Sequence, residues 1–305
     1  MKKLFFGLLI LPAFMLVGCG KKDKFIYGTD KTVVAGYKDK EAMDIIIPDG
    51  VKTIDKSAFL GFDKLQTVTI PSSVTTIKAS AFRNCTSLRS INLTDNITTL
   101  EDSVFYECIS LESLNLPSSL TDIPDFLCYK CENLKKIELK EGLECIGNYS
   151  FGLCYNLDID SLPKTLKIIK EEAFFATYIK NLVIPSSVNR IDKHAFSGCD
   201  NLLSVRFIGS LTELKEGVFS SCSKLKEVLL PSNLETVGKN AFLFCKSLEY
   251  TYFRGTHSDF QSVSYGEGNE VFRNTILYYL ETNPGNSYFY WHYDSNNNPI
   301  VWIND

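Results

Sequence analysis

A chain of 305 residues is long enough for two domains by length alone, and its 45% hydrophobic content fits a packed protein rather than a disordered one. Charged residues make up 22% and the formal net charge is −4, which excludes a strong electrostatic attraction to nucleic acid or to an anionic membrane. The chain opens with an export pattern: Lys2 and Lys3 form a basic stretch, and residues 4–17 form an apolar run too short to span a bilayer comfortably.

That run ends in Leu16-Val17-Gly18-Cys19, which resembles the lipobox of bacterial lipoproteins. The resemblance implies a signal peptide over residues 1–18 and lipidation of Cys19, which becomes the first residue of the mature chain. Residues 19–41 then carry the lipid, a tether and an N-terminal cap, outside the cytoplasm. Small Gly18 before the cysteine, and Lys21, Lys22, Asp23 and Lys24 after it, favour this over an ordinary signal peptide with an incidental cysteine. One acyl chain holds weakly, at about 0.8 kcal/mol per buried methylene, and two or more make a stable anchor.

Residues 42–249 are copies of one unit, LQTVTIPSSVTTIKASAFRNCTS at Leu65. Units begin at Ala42, Leu65, Leu88, Leu111, Leu134, Leu157, Ile179, Leu202 and Leu225, with a fading tenth at Leu248. The step is 23 residues, except for 22 between Leu157 and Ile179. A fixed period of this length predicts a solenoid, in which each unit buries its apolar face only against its neighbours.

Within the unit, Leu65-x-x-Val68-x-Ile70 has the period-2 alternation of a strand with one buried face. Proline then recurs at Pro48, Pro71, Pro117, Pro163, Pro185 and Pro231, where it ends the strand and turns the coil. A second extended piece follows, and Ala81-Phe82-Arg83-Asn84-Cys85 reads as a tight helical turn closing the loop. Stacking at about 4.8 Å per rung makes nine coils roughly 40 Å long. It also gathers Phe59, Phe82, Phe105, Phe151, Phe174, Phe196, Phe219 and Phe242 into one aromatic spine. Cys128 interrupts it, and nearby Phe126 is the candidate to fill the gap.

The pattern of strand, I-P, V-x-x-I and A-F-x-x-C resembles the BspA-like leucine-rich repeats of bacterial surface proteins, from about Ala42 to Leu248. The resemblance implies a β-rich leucine-rich repeat solenoid with terminal caps, displayed on the cell surface. It also implies adhesion to host matrix proteins or to other bacteria in some members, and it brings no catalytic residues. Tyr252-Phe253-Arg254-Gly255-Thr256 and Gly266-Glu267-Gly268-Asn269 are similar to the closing segment of such arrays, so residues 250–280 are read as the C-terminal cap. Residues 281–305 form an aromatic-rich extension: a link containing Pro284-Gly285, then a hairpin turning at Asn296-Asn297-Asn298. Tyr288, Phe289, Tyr290, Trp291, Tyr293 and Trp302 lie within it. They are suited either to packing on the cap or to binding a sugar or partner.

Ten cysteines in an exported chain suggest disulfides, but the spacing argues otherwise. Cys85, Cys108, Cys131, Cys154, Cys199, Cys222 and Cys245 all fall at unit position 21, so their side chains point one way as small buried thiols. Such a column offers no tetrahedral metal set, and Cys128-x-x-Cys131 is a redox motif by spacing only. Cys145 falls in a slot held elsewhere by Thr76, Thr99, Asp122 or Arg190 and is expected to be exposed and oxidisable. His194, His257 and His292 form no nucleophile–base order, so no enzyme activity, metal or cofactor is expected.

Two outward slots bear on binding. Position 2 alternates in sign from Arg89 through Glu112, Lys135 and Asp158 to Lys180, and reads as a self-neutralising exposed stripe. Position 5 runs through Thr69, Asn92, Asn115, Glu138 and Ser161 and then becomes Val183, Arg206, Leu229 and Tyr252. An outward row of apolar, aromatic and arginine side chains is suited to partner contact, unless the C-terminal cap folds over it. The expected function is therefore a monomeric, lipid-anchored surface module. It would recognise a protein or glycan on a host or neighbouring cell, with its membrane contact through the lipid only. A structural envelope protein without a dedicated host ligand is the alternative.

Overall fold

Apolar residues recurring every 23 places can be buried together only when successive units lie on one another. The structure, a computed structural model, describes residues 23–283 and 289–302. The expected signal peptide, Cys19, the Pro284-Gly285 link and Tyr288 lie outside the described residues. Every unit except the one at Leu157 contributes a first strand, such as Thr67–Thr69 or Ser90–Asn92, and every unit a second, such as Thr76–Ile77 or Thr99–Leu100. Within each sheet they pair parallel from one unit to the next: Ile45 lies beside Val68, Val68 beside Ile91 and Ile91 beside Leu114, while Ile54 lies beside Ile77 and Ile77 beside Leu100. These side chains are all buried, as period-2 alternation with one buried face requires.

The third side of each coil is not the helical turn read from the sequence. Alternate amides of this segment face different directions. Ser80, Phe82 and Asn84 donate to Asp102 O, Val104 O and Tyr106 O of the next coil at 3.0, 3.1 and 2.8 Å. Ala81, Arg83 and Cys85 donate three residues back, to Lys78 O, Ser80 O and Phe82 O. This ribbon of tight turns needs left-handed backbone at two places per coil, with φ of 59° at Ser80 and 60° at Asn84, repeated at Ser103 and Glu107. A helix would send every amide along its own axis and leave this edge unpaired between coils.

Inside, the phenylalanines stack as expected, with ring centroids 5.2 Å apart for Phe59–Phe82, 5.9 Å for Phe82–Phe105 and 5.3 Å for Phe174–Phe196. Phe126 does not fill the gap left by Cys128. It is half-buried on the turn ribbon, stacked on Tyr149 at 5.0 Å, tilted against Tyr106 and edge-on to Tyr129. At the other end Phe272 adds a rung to the spine, 4.8 Å from Phe242.

The 22-residue unit departs from the others at both of its ends. Its loop is shortened to Thr177-Tyr178-Ile179, and the Tyr178 amide turns to Leu157 O at 2.9 Å. The first-strand row keeps only an isolated bridge there, Lys136 to Asp158. It therefore divides into a five-stranded sheet from Asp44–Ile46 to Lys136–Ile137 and a seven-stranded sheet beginning at Asn181–Ile184.

At the N-terminal end, Phe25–Tyr27 and Val33–Tyr37 pair antiparallel, and the latter continues the second-strand row onto Thr53–Ile54. At the other end two short helices, His257–Gln261 and Glu270–Asn274, cover the last coil. The first starts on a capping box between Thr256 and Asp259. Asn269, 2% exposed, serves the groups a further coil would have met: its Oδ1 accepts from the Phe242 amide, and its Nδ2 donates to Gly238 O and Gly266 O. Among the described residues no helix is long and apolar enough to cross a membrane.

Candidate recognition face and its cleft

The outward face of the first-strand row is where variable side chains accumulate. Register places Val183 beside Arg206, Arg206 beside Leu229, Leu229 beside Tyr252 and Tyr252 beside Leu277. The two readings of this row, open contact and cover, hold for different residues. Val183 is 50% exposed, but Leu229 and Tyr252 are only 1% and 4% exposed.

The cover is the aromatic extension, not the cap helices. Tyr290–Tyr293 pairs parallel with Ile276–Tyr279, then turns through Asn296-Asn297-Asn298 into the antiparallel strand Pro299–Val301. Trp291, fully buried, closes a small core with Leu229, Tyr252 and Leu277. Its Nε1 donates to Phe253 O at 2.9 Å, and its ring meets that of Tyr252 edge-on at 5.4 Å. Arg206 reaches the hairpin tip, donating from Nη2 to Asn297 O at 2.9 Å. Trp302 Nε1 donates to Leu280 O.

Between sheet and hairpin runs a cleft of about 670 Å³, lined by Tyr250, Tyr252, Leu277, Pro299, Ile300, Val301 and Trp302. Tyr250 and Ile300, each 40% exposed, form its accessible lips. Burial, then the Glu227 carboxylate, Tyr250 and Glu249, hold the Tyr252 hydroxyl well above its ordinary pKa, so it stays neutral. Behind the hairpin a smaller hollow of about 320 Å³ lies among His257, Tyr278, Phe289 and Tyr290. Sizes of this order suit one or two inserted groups of a ligand.

The charged stripe at position 2 forms its rung-to-rung pairs at Lys135–Glu112 (3.1 Å) and Lys180–Asp158 (3.6 Å). The histidines are far from forming a reactive group. His194 lies over Gly217, where a Cβ would stand 2.1 Å from Nδ1; His257 meets Tyr278 edge-on; His292 stacks on Trp302 at 3.5 Å. Among the described residues no group of three or more His, Cys, Asp or Glu could hold a metal ion.

The nine described cysteines are all free and buried. Each thiol in the column donates to a backbone carbonyl of the previous coil: Cys85 to Phe59 O at 3.2 Å, Cys108 to Phe82 O at 3.1 Å, Cys131 to Phe105 O at 3.1 Å, and so on to Cys245 and Phe219 O. In the middle rungs that carbonyl also accepts its own coil's position-21 amide, as Phe82 O does from Cys85, so both lone pairs are used. Burial pushes Cys85 up to about 12 and Cys199 up to about 11, the opposite of an activated thiol. Cys145 is buried too, against expectation. Its short side chain lies between longer neighbours on adjacent rungs, Asp122 and Ile168, and burial raises its pKa as well.

This fold and this face define a class, a leucine-rich repeat solenoid presenting a variable parallel sheet. Within the class, residues 35–158 and 146–276 match the family described as the BspA type leucine rich repeat region, and the chain belongs to that family. No curated protein matches the sequence. Among solved structures, a leucine rich cell surface protein of Faecalibacterium prausnitzii is 22% identical, with a TM-score of 0.50 over 79% of this chain and 95% of its own. A leucine-rich repeat protein of Bacteroides ovatus is also 22% identical, with a TM-score of 0.42 over 86% and 94%. The pneumococcal vaccine antigen PcpA is 22% identical, with a TM-score of 0.47 over 74% of this chain and 68% of its own.

Proposed function

We propose that the protein is a non-catalytic, lipid-anchored recognition module that binds a protein or glycan partner on a host or neighbouring cell surface. Cys19 carries the lipid in this reading, and the outward sheet face carries the partner. The observation that supports the reading most is the cleft between that sheet and the hairpin. Its Tyr250 and Ile300 lips offer apolar surface for an inserted side chain or the flat face of a sugar ring. Val183, exposed beside the Arg206 that holds the hairpin tip, extends the contact onto the open sheet.

The test uses the full chain displayed in a bacterial envelope and challenged with extracts of host matrix and of neighbouring microbes. Val183→Ser, Tyr250→Ser and Ile300→Ser together should abolish capture while shifting Tm by no more than a few degrees, because all three side chains are well exposed. Unchanged capture by the triple variant would remove the cleft as the binding site. Loss of cell adhesion on deletion, with envelope integrity intact, separates this reading from a structural role.

A further inference from the structure

The two ends of the first-strand row are finished differently. At the C-terminal end the last strand is Pro299–Val301, beginning with a residue that has no amide to offer a newcomer. At the N-terminal end the row starts at Asp44–Ile46, and the antiparallel pair beside it extends only the second-strand row. Ladder bonds fix which groups of this edge strand are spent. Thr67 donates to Met43 O at 3.1 Å and Ile47 donates to Thr69 O at 3.0 Å, so the peptide groups of Met43, Ile45 and Ile47 face the second coil. Those of Asp44 and Ile46 point the opposite way, where no strand among the described residues pairs with them. Beside these groups stand Ile46, 72% exposed, and Met43, 54% exposed. The Asp44 carboxylate is held by the Thr67 hydroxyl at 2.5 Å, along the sheet and away from the edge.

We propose that this edge pairs with the same edge of a second copy of the chain, antiparallel about a two-fold axis through Ile45. Two outward-facing residues spaced two apart are self-complementary under that rotation. Asp44 of each copy exchanges both backbone hydrogen bonds with Ile46 of the other. No like charges then stand directly opposite, because Asp44 faces Ile46 rather than itself. Pro48 follows at once and limits the pairing to a few residues. An edge this short is smaller than a standard stable interface, so the pairing is weak in dilute solution. It gains strength where copies share a surface, which the lipid anchor at Cys19 in the reading above would supply. On this proposal a weak dimer would stand in place of the monomer expected from the sequence.

The test is disulfide trapping of the full chain in a bacterial envelope under mild oxidation. In the proposed register Asp44 and Ile46 of opposite copies have alpha carbons about 5.5 Å apart, inside the disulfide window, whereas identical residues lie roughly 8–9 Å apart. The double variant Asp44→Cys, Ile46→Cys should therefore give roughly tenfold more cross-linked dimer than either single variant. Both positions are exposed, so the fold should tolerate them; the nine described thiols are buried, and Cys19 is taken up by the lipid in the reading above. No dimer in the double variant, or equal dimer in all three, overturns the proposal. A second measurement needs no substitution: amide exchange at Asp44 and Ile46 should slow as the purified full chain is concentrated in detergent, and unchanged exchange counts against the pairing. Partner capture can survive failure of either test, so the proposals fall separately.

Discussion

From Thr69 through Asn92, Asn115 and Glu138 to Ser161 the outward slot of the first strand holds polar side chains, all exposed, whereas from Val183 onward it carries Val, Arg, Leu and Tyr and is increasingly roofed. Both stretches use the same repeat, each paired parallel within its own sheet, so strand pairing is common to the two. The difference lies in a side-chain slot that the repeat leaves free. Leu229 and Tyr252 could be apolar there because Trp291 descends on them, and Trp291 could be buried there because they are apolar. A solenoid thus keeps one core common to every coil and acquires a second, private core wherever an extension returns to its surface.

The largest expected effects separate these two cores. Phe82→Ala removes a ring stacked on both sides and should cost about 3–5 kcal/mol of global stability, read as a lower Tm with the transition still cooperative. Trp291→Ala removes a comparable ring and an indole hydrogen bond, but from the private core alone. It should release residues 289–302 to proteolysis and leave the melting of the first five coils unchanged. A global loss equal to that of Phe82→Ala would mean that the two cores are one.

A smaller effect should fall on both regions alike, because the thiol column runs through both. Burial raises the folded pKa of Cys85 to about 12 and of Cys199 to about 11, against roughly 8.5 for an unfolded thiol. The folded state therefore holds these protons more tightly. This stabilisation is complete below about pH 8.5 and is lost as pH rises through the folded values, at about 1–2 kcal/mol per thiol by pH 10. Melting curves between pH 8 and pH 10 should fall steadily, and replacing Cys85 and Cys199 with alanine should make that slope shallower by their share of the nine buried thiols. A flat wild-type profile would mean that the thiols are not sealed in.

Much of the common core was legible before any coordinates, because a repeat that stacks turns sequence columns into spatial files. Phe82 over Phe105 and the cysteine file follow from that alone. What stayed hidden is what has no column of its own type. The left-handed positions carry Ser80, Asn84, Glu107 and Lys130 rather than a glycine signature, so the turn ribbon looked helical. The carbonyl partners of the thiols are main-chain atoms and leave no mark in the sequence. Cys145 sat in a polar column and was still buried, since its short side chain is shaded by Asp122 and Ile168. The private core gave half of its signal: Leu229 and Tyr252 in an outward slot announced a cover, but only tertiary structure shows that the hairpin, through Trp291 and Arg206, provides it.

The chain has two tryptophans, Trp291 and Trp302, so Trp302→Phe leaves the roof as the sole indole reporter. Native emission from that variant should be blue-shifted and resistant to acrylamide, moving to the red only when the hairpin is released or the protein unfolds. Red-shifted, freely quenched emission from the folded variant would contradict the closed half of the face, and with it the difference between the two regions.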